Sequence, residues 1–284
     1  MQRTLEQSIE IAGVGLHSGL PSKLFIKQAN VNSGIVFLRS DLASNNIFPA
    51  LYKNVADTRN CTCLANQEKQ AVSTIEHIMA TLYALGIDNA LIEVNNPEVP
   101  IMDGSAKVFW NILKDVPLKE QSAKRKYLKV KQRVEFDDGK GGKIALLPAN
   151  ELAVKFEIDF PSKIVGHQLF DEKVTSEIFA SEIAPSRTFC EKYQVDYLRS
   201  IGLIKGGSLE NAVVLDGDNI LNEGGFRVKN ECVKHKVLDC IGDMYTSGYR
   251  LLAKVEAQKT GHFHNNEVLK KLFADAKNYE IVEE

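Results

Sequence analysis

The chain contains 284 residues, of which 44% are hydrophobic and 25% are charged, and its formal net charge is −2 at pH 7. This near-neutral balance gives no reason to expect binding to nucleic acid or to an anionic bilayer, although a local basic patch can still hold a phosphate. The length exceeds that of a usual single core and predicts two domains.

The first part of the chain has the pattern of an α+β unit. Short β-rich runs at 22–26 and 34–38 alternate with turn signals and precede a strongly periodic helix at 73–85. A strand at 90–94 follows, and Ser105 is predicted to be the N-cap of a helix over 106–113. We place the first domain at residues 1–118.

The second part repeats the order of strands followed by helices, without a visible sequence repeat. A polar, basic stretch at 119–126 predicts an exposed linker, and the second domain is placed at 127–284. Its predicted strands are 127–136, 143–147 and 152–160, with a turn at 137–142 closing the first pair, and its predicted helices are 191–201, 233–246 and a final helix after a polar turn.

The sequence also indicates the cellular compartment in which the protein is expected. No apolar run approaches the ~20 residues that a membrane-spanning helix needs, and the first residues lack the apolar region of a signal peptide. Five cysteines, an odd number without the spacing of a disulfide scaffold, favour reduced thiols. We therefore expect a cytoplasmic protein with no transmembrane segment.

The first helix carries a Glu-His pair. His77 projects roughly 140° from the centre of the apolar stripe, so it is either a solvated residue or a ligand rather than a packed core histidine. Glu76 has two interpretations, which the spacing alone does not separate. It completes a capping box with Ser73, or it is a general base beside a metal ligand. The stripe consists of Ile75, Ile78, Met79, Leu82 and Leu85.

The second helix places three ionisable side chains, those of His235, Asp239 and Asp243, on the edge opposite its apolar residues. Residues four apart share a helix face, so His235 and Asp239 can converge on one metal ion, with a third ligand from His77. A solvated polar face is the alternative, but solvated faces favour better helix formers than His and Asp. Gly242 in mid-helix indicates that another chain segment approaches the backbone closely.

Other polar residues are weaker candidates. His262 and His264 lie in a polar turn before the last helix, and one of them could act in proton transfer. His17 and His167 are alternative metal ligands, although neither has a carboxylate at ligand spacing. Three cysteines are treated as neighbours of the site without an assigned role: Cys61, Cys63 and Cys190.

Six segments together resemble one family in order and spacing, over essentially the whole chain: Gly-Val-Gly-Leu-His-Ser-Gly at 13–19, Thr-Ile-Glu-His at 74–77, Pro-Ile-Met-Asp-Gly-Ser at 100–105, Ser-Arg-Thr-Phe at 186–189, Ser-Leu-Glu-Asn-Ala at 208–212 and His-Lys-Val-Leu-Asp-Cys-Ile-Gly-Asp at 235–243. The family is the UDP-3-O-acyl-N-acetylglucosamine deacetylases of lipid A biosynthesis. The resemblance implies two similar α+β domains, each with helices on a mostly antiparallel sheet, whose helical layers face each other across the active site.

The resemblance also implies a set of site residues. The ligands of one catalytic Zn²⁺, with Fe²⁺ as a substitute, are His77, His235 and Asp239. Glu76 is the general base for the attacking water. The other catalytic positions are Thr188, which stabilises the oxyanion, Lys236, which supplies a positive charge toward the substrate phosphate or the oxyanion, and His262, which is oriented by Asp243 and protonates the departing amine.

The implied substrate is UDP-3-O-acyl-N-acetylglucosamine, and the products are acetate and the free amine. An inserted segment at 189–207 is expected to build a slot for the acyl chain, with Phe189 near the sugar. The expected wall residues are Val195, Leu198 and Leu203, and Leu16 and Gly207 are further expected substrate-binding residues. We expect a monomer.

Two alternatives to the deacetylase function are considered. One is a binding module in which a structural zinc clamps two domains together, and the other is a zinc amidohydrolase that acts on another acylated amino sugar.

Overall fold

The computed structural model describes residues 1–284 and has the α+β fold that the sequence predicts. The N-terminal half contains β1 (Arg3–Leu5), β2 (Ile9–Val14), β3 (Pro21–Gln28), β4 (Ile35–Arg39), β5 (Ile47–Pro49), β6 (Val55–Asp57), β7 (Cys63–Ala65), β8 (Ala71–Val72), α1 (Glu76–Leu85), β9 (Ala90–Val94), α2 (Lys107–Leu113) and β10 (Leu118–Glu120). The helix predicted at 73–85 therefore begins three residues later. The N-cap of α2 is Ala106, although Ser105 Oγ still accepts a hydrogen bond from the Lys107 amide.

The C-terminal half contains β11 (Lys126–Val130), β12 (Val134–Asp137), β13 (Lys143–Pro148), β14 (Ala153–Asp159), β15 (His167–Lys173), α3 (Ser176–Ile178), β16 (Phe189–Glu191), α4 (Lys192–Ser200), β17 (Val213–Asp216), β18 (Asn219–Ile220), α5 (Glu231–Tyr245), β19 (Arg250–Gln258), α6 (His262–Ala274) and β20 (Tyr279–Glu283). The prediction of one strand at 127–136 is wrong. It is two strands, because β11 pairs with β19 and β20 whereas β12 pairs with β13.

The two halves share one sheet topology despite their different sequences. The N-terminal sheet has the order β2-β3-β9-β4-β5, and the second sheet contains β12-β13-β19-β14-β15 in the same order. The central strand of each, β9 or β19, is antiparallel to one neighbour and parallel to the other. Both central strands alternate buried and half-buried residues, as expected of a sheet covered on one face by helices.

The helical layers of the two halves meet at α1 and α5, which pack against each other. Nine of the ten residues of α1 are buried, and α5 is buried along nearly its whole length because it also packs on β14, β15 and β19. The close approach requires Gly242. A Cβ atom at that position would lie 2.0 Å from the carbonyl oxygen of Glu76, so the structure confirms the predicted close contact at this glycine.

The segment between the halves is partly structured. β10 pairs with β1 in an antiparallel ladder, and Arg125 forms a salt bridge to Asp88 at 2.7 Å. The domain boundaries at 118 and 127 stay predictions. None of the helices combines the length and the apolar character needed to cross a bilayer. All five cysteines have free thiols.

Candidate metal centre and active-site cavity

Three of the predicted residues meet where α1 packs on α5. His77 Nε2 lies 3.6 Å from Asp239 Oδ1, and His235 Nε2 lies 3.4 Å from the same oxygen. One ligand atom from each residue falls within 4.8 Å of the others. All three side chains are buried, so the alternative of a solvated helix face is wrong for both helices. The polar edges of both helices are buried where α1 and α5 meet.

The surrounding hydrogen bonds orient this triad. His235 Nδ1 lies 3.0 Å from the carbonyl oxygen of Ser186, and Lys236 Nζ donates to Asp239 Oδ2 at 2.9 Å. These contacts leave His235 Nε2 and Asp239 Oδ1 directed at the common point. Burial lowers the pKa of His235 to about 3, although the negative charge of Asp239 opposes this shift. The low pKa keeps the imidazole neutral, as a metal ligand must be. Two imidazole nitrogens and a carboxylate oxygen fit a divalent transition-metal ion.

Glu76 lies beside the triad and does not cap its own helix. Its Oε2 accepts a hydrogen bond from the Thr62 amide at 3.0 Å, and no side chain caps the start of α1. The capping-box interpretation with Ser73 is therefore wrong. Burial raises the pKa of Glu76, although the electrostatic interactions with the imidazoles of His262 and His77 oppose the shift. A carboxylate in this environment is a suitable proton acceptor near neutral pH.

His262 is held by a buried carboxylate. Its Nδ1 lies 2.8 Å from Asp243 Oδ2, which also accepts a hydrogen bond from Asn265, and Asp243 Oδ1 accepts one from the Thr62 hydroxyl. Burial opposes a charge on His262, but the carboxylates of Asp243 and Asp239 outweigh it and raise the pKa of His262 to about 9. His262 is thus a cation whose Nε2 lies 4.0 Å from Asp239 Oδ2.

The remaining histidines are separate from the triad. His262 and His264 both belong to the first turn of α6 and not to a turn before it. His264 Nε2 lies 3.0 Å from Asp138 in the β12–β13 hairpin, and exposed His167 pairs with Glu157. His17 and His264 line the cavity described below, but neither is one of the clustered ligands.

Sequence reasoning missed two residues next to the Asp243–His262 pair: Thr62 donates hydrogen bonds to both Glu76 and Asp243, and Asn265 donates one to Asp243. Thr62 stands between two cysteines in a short loop before β7, and no local pattern relates it to residues 181 positions later. Asn265 follows His262 by one helical turn. That spacing was the only available signal.

A cavity of about 720 Å³ opens from the metal triad. The residues at its polar end include Glu76, His77, His235, Lys236, Asp239 and His262. Thr188 also lines it, and the ring centroid of Phe189 lies 6.5 Å from that of His235 and 5.9 Å from Lys236 Nζ. Asp243 does not reach the cavity surface and acts behind His262.

The other part of the cavity is an apolar arm. Its walls include Leu16, Val195, Leu198, Ile204, Gly207, Leu209 and Leu221. Of the predicted wall residues, Val195 and Leu198 line the cavity and Leu203 does not, and the predicted substrate contacts Leu16 and Gly207 also line it. Cys190 is a lining residue, whereas Cys61 and Cys63 are not. The walls come from the N-terminal 15–19 loop, α4 and the segments on either side of β17.

Comparisons with known proteins identify the family of the chain. The family model described as UDP-3-O-acyl N-acetylglycosamine deacetylase matches residues 2–274. Curated relatives named UDP-3-O-acyl-N-acetylglucosamine deacetylase include those of Pasteurella multocida and Mannheimia succiniciproducens, each 44% identical over 99% of this chain and 92% of the relative. The one from Actinobacillus pleuropneumoniae serotype 3 is 41% identical with the same coverage. The chain therefore belongs to the UDP-3-O-acyl N-acetylglycosamine deacetylase family.

Proposed function

We propose that this protein hydrolyses the N-acetyl group of UDP-3-O-acyl-N-acetylglucosamine in lipid A biosynthesis, releasing acetate and the free 2-amino sugar. The observation that carries the proposal is the position of a His-His-Asp triad at the polar end of a cavity whose other arm is apolar. A polar reaction centre joined to an apolar arm suits a substrate that combines an amide-bearing sugar with an acyl chain.

The metal ion that we propose is zinc, held by His77, His235 and Asp239. Three protein ligands from the N and O classes are typical of catalytic zinc, whereas structural sites usually have four. When bound, the ion supplies Lewis-acid polarisation of the amide carbonyl and makes a coordinated water more acidic. Fe²⁺ is the substitute that the same donor set accepts.

Proton transfer falls to Glu76 and His262, which face the triad from α1 and α6. The carboxylate of Glu76 takes a proton from the attacking water, and the raised pKa of Glu76 makes it a stronger base than an exposed carboxylate. As the C–N bond breaks, cationic His262 gives its Nε2 proton to the departing amine. Asp243 keeps the imidazole oriented through its 2.8 Å contact with Nδ1.

The remaining lining residues hold the substrate. Thr188 and Lys236 stabilise the negative charge that develops on the amide oxygen, because a hydroxyl donor and a partly buried cation lower the energy of an oxyanion. Phe189 contacts the sugar. Leu16, Val195, Leu198 and Gly207 surround the acyl chain in the apolar arm.

The test is acetate release from UDP-3-O-acyl-N-acetylglucosamine by purified protein before chelation, after chelation, and after one equivalent of Zn²⁺ or Fe²⁺ is restored. We expect release to vanish on chelation and to return with the metal. A folded, metal-loaded protein that releases no acetate would contradict the proposal. Release from another acylated amino sugar at a higher kcat/KM would reassign the substrate, and metal-dependent folding without turnover would support a structural clamp.

We further propose that the protein acts as a monomer in the cytoplasm, with a soluble nucleotide sugar as its substrate and no nucleic-acid partner. Light scattering after size-exclusion chromatography measures the oligomeric state. A mass near 31.6 kDa is expected, and a stable dimer would contradict it.

A further inference from the structure

Glu98 is a buried carboxylate outside the catalytic cluster. It is 1% exposed, and all of its hydrogen-bond donors are neutral. Oε1 accepts from the His17 amide at 2.8 Å and from the Thr74 hydroxyl at 3.1 Å, and Oε2 accepts from the Ser18 amide at 2.8 Å. A charge removed from water without a cationic partner is costly, so its local role calls for an explanation.

Two hydrogen bonds hold the main chain of Glu98 in place. The Glu98 amide donates to Asn96 Oδ1 at 2.9 Å, and the Glu98 carbonyl accepts from the Ser22 hydroxyl at 2.6 Å. Thr74 is buried and has a φ of +61°, a left-handed conformation that β-branched residues rarely adopt. Such a residue persists only where its surroundings over-determine it, so Thr74 is a rigid reference point two residues before Glu76.

The other side of the carboxylate holds the 15–19 loop. The two amide groups of His17 and Ser18 point at separate oxygens, which forms a small anion-binding concavity of main-chain donors. Gly15 allows this approach, because a Cβ atom there would lie 2.3 Å from Glu98 Oε2. The carboxylate therefore determines where the loop sits relative to α1.

The loop in turn supports one wall of the apolar arm. The Gly206 amide donates to the Leu16 carbonyl at 3.0 Å, and the Lys205 amide donates to the His17 carbonyl at 3.3 Å. A Cβ atom on Gly206 would lie 2.3 Å from the Gly15 carbonyl oxygen, so the two backbones touch. Leu16, Ile204 and Gly207 line the cavity at this junction.

We propose that Glu98 is a positioning residue that sets the width of the acyl arm by fixing the 15–19 loop against residues 204–207. The inference rests on the proposed function, since it assigns this arm to the acyl chain. Glu98 has no contact with the reacting groups. Its effect is expected on the recognition of a long acyl chain and not on metal binding.

The variant that tests this is Glu98→Gln. The amide is isosteric, but it replaces one acceptor oxygen with a donor group that opposes a main-chain N–H. We expect kcat/KM for a substrate with a long 3-O-acyl chain to fall about tenfold, the ratio for a lost hydrogen bond to a charged group. For the 3-O-acetyl analogue we expect less than a threefold fall, with unchanged zinc content.

Ser22→Ala is the matched control, because it removes a buried hydrogen bond to the main chain of Glu98 and leaves the carboxylate intact. It should reduce kcat/KM for neither substrate by more than about twofold. An equal fall for both substrates in Glu98→Gln, or no fall for either, would overturn the proposal. If Glu98→Gln does not fold, Gly206→Ala disturbs the same junction from the other side and must give the same chain-length selectivity.

Hydrogen exchange separates this inference from the proposed function. In Glu98→Gln the amides of His17 and Ser18 should exchange faster than in the wild type, while amides of α1 stay protected. This result does not depend on the substrate. A wild-type protein that cleaves neither substrate would refute the proposed function, whereas unchanged exchange at these two amides would refute the role of Glu98.

Discussion

Gly242 of α5 lies directly against the main-chain carbonyl of Glu76 at the start of α1, where a Cβ atom would be 2.0 Å from the oxygen. Because Gly242 has no side chain, α1 and α5 can approach closely enough to place His77 beside His235 and Asp239. The atoms that a Cβ at position 242 would meet belong to the backbone of Glu76 and not to a flexible side chain. A larger residue at this position must therefore displace one of the two helices.

The first prediction is that Gly242→Ala separates α1 from α5. We expect the free energy of unfolding to fall by about 1–3 kcal/mol, as for an overpacked core, and zinc affinity to fall at least about tenfold. Metal titration and denaturant unfolding measure both. Gly139→Ala is the control, because a Cβ there meets nothing within 4 Å and the variant bears only the strain of a positive φ. Equal zinc affinity in the two variants would contradict the prediction.

Glu76→Gln should separate metal binding from turnover. The amide keeps the shape of the side chain but cannot accept a proton from water, so we expect kcat to fall by about 10²–10⁴-fold with the metal retained. Metal analysis and acetate release on the same preparation test this. Activity near the wild-type level would remove Glu76 from the role of general base.

Two histidines of α6 provide a matched pair. His262→Gln should lower kcat at least about 100-fold and retain the metal, because we assign His262 to proton donation and not to metal binding. His264→Gln removes the contact with Asp138 in the neighbouring hairpin and should lower kcat by less than about threefold. A larger loss of turnover in His264→Gln than in His262→Gln would show that the wrong histidine has been assigned.

The buried pair of Arg187 and Glu231 supports the metal site from behind. Their side chains are 2.8 Å apart, Glu231 also accepts from the Arg187 amide, and the preceding carbonyl of Ser186 contacts the metal-ligand position His235. Glu231→Gln leaves a buried cation without its partner and should cost about 3–5 kcal/mol of unfolding free energy. We expect weaker zinc binding at temperatures where the variant stays folded. Unchanged stability would contradict this assignment.

Cys63 should label slowly in the native protein. Its thiol is partly exposed, but burial and nearby carboxylates raise the pKa of Cys63 to about 11, so roughly one molecule in a thousand carries the reactive thiolate at pH 8. The native labelling rate should increase about tenfold per pH unit up to that pKa. Iodoacetamide labelling followed by peptide mass spectrometry measures it, with the urea-unfolded chain as control. Equal native and unfolded rates at pH 8 would contradict the shift.

The local sequence determined much of this protein. Helical periodicity placed His235 and Asp239 on one edge of α5, because residues four apart share a helix face whatever surrounds the helix. The mid-helix glycine at 242 predicted a close backbone contact, and the structure contains one. The resemblance to a family predicted the α+β fold and most of the site residues, because the motifs occur in the same order and spacing along the whole chain.

Only the tertiary structure decided which interpretations of single residues were right. Glu76 accepts a hydrogen bond from the Thr62 amide of the loop before β7, whereas the Ser73 amide donates to the Pro97 carbonyl. The strand predicted at 127–136 divides because its halves meet different partners in the sheet. The roles of Glu98 and Gly206 depend on contacts between distant segments, and such contacts have no period or spacing in the sequence from which they could be predicted.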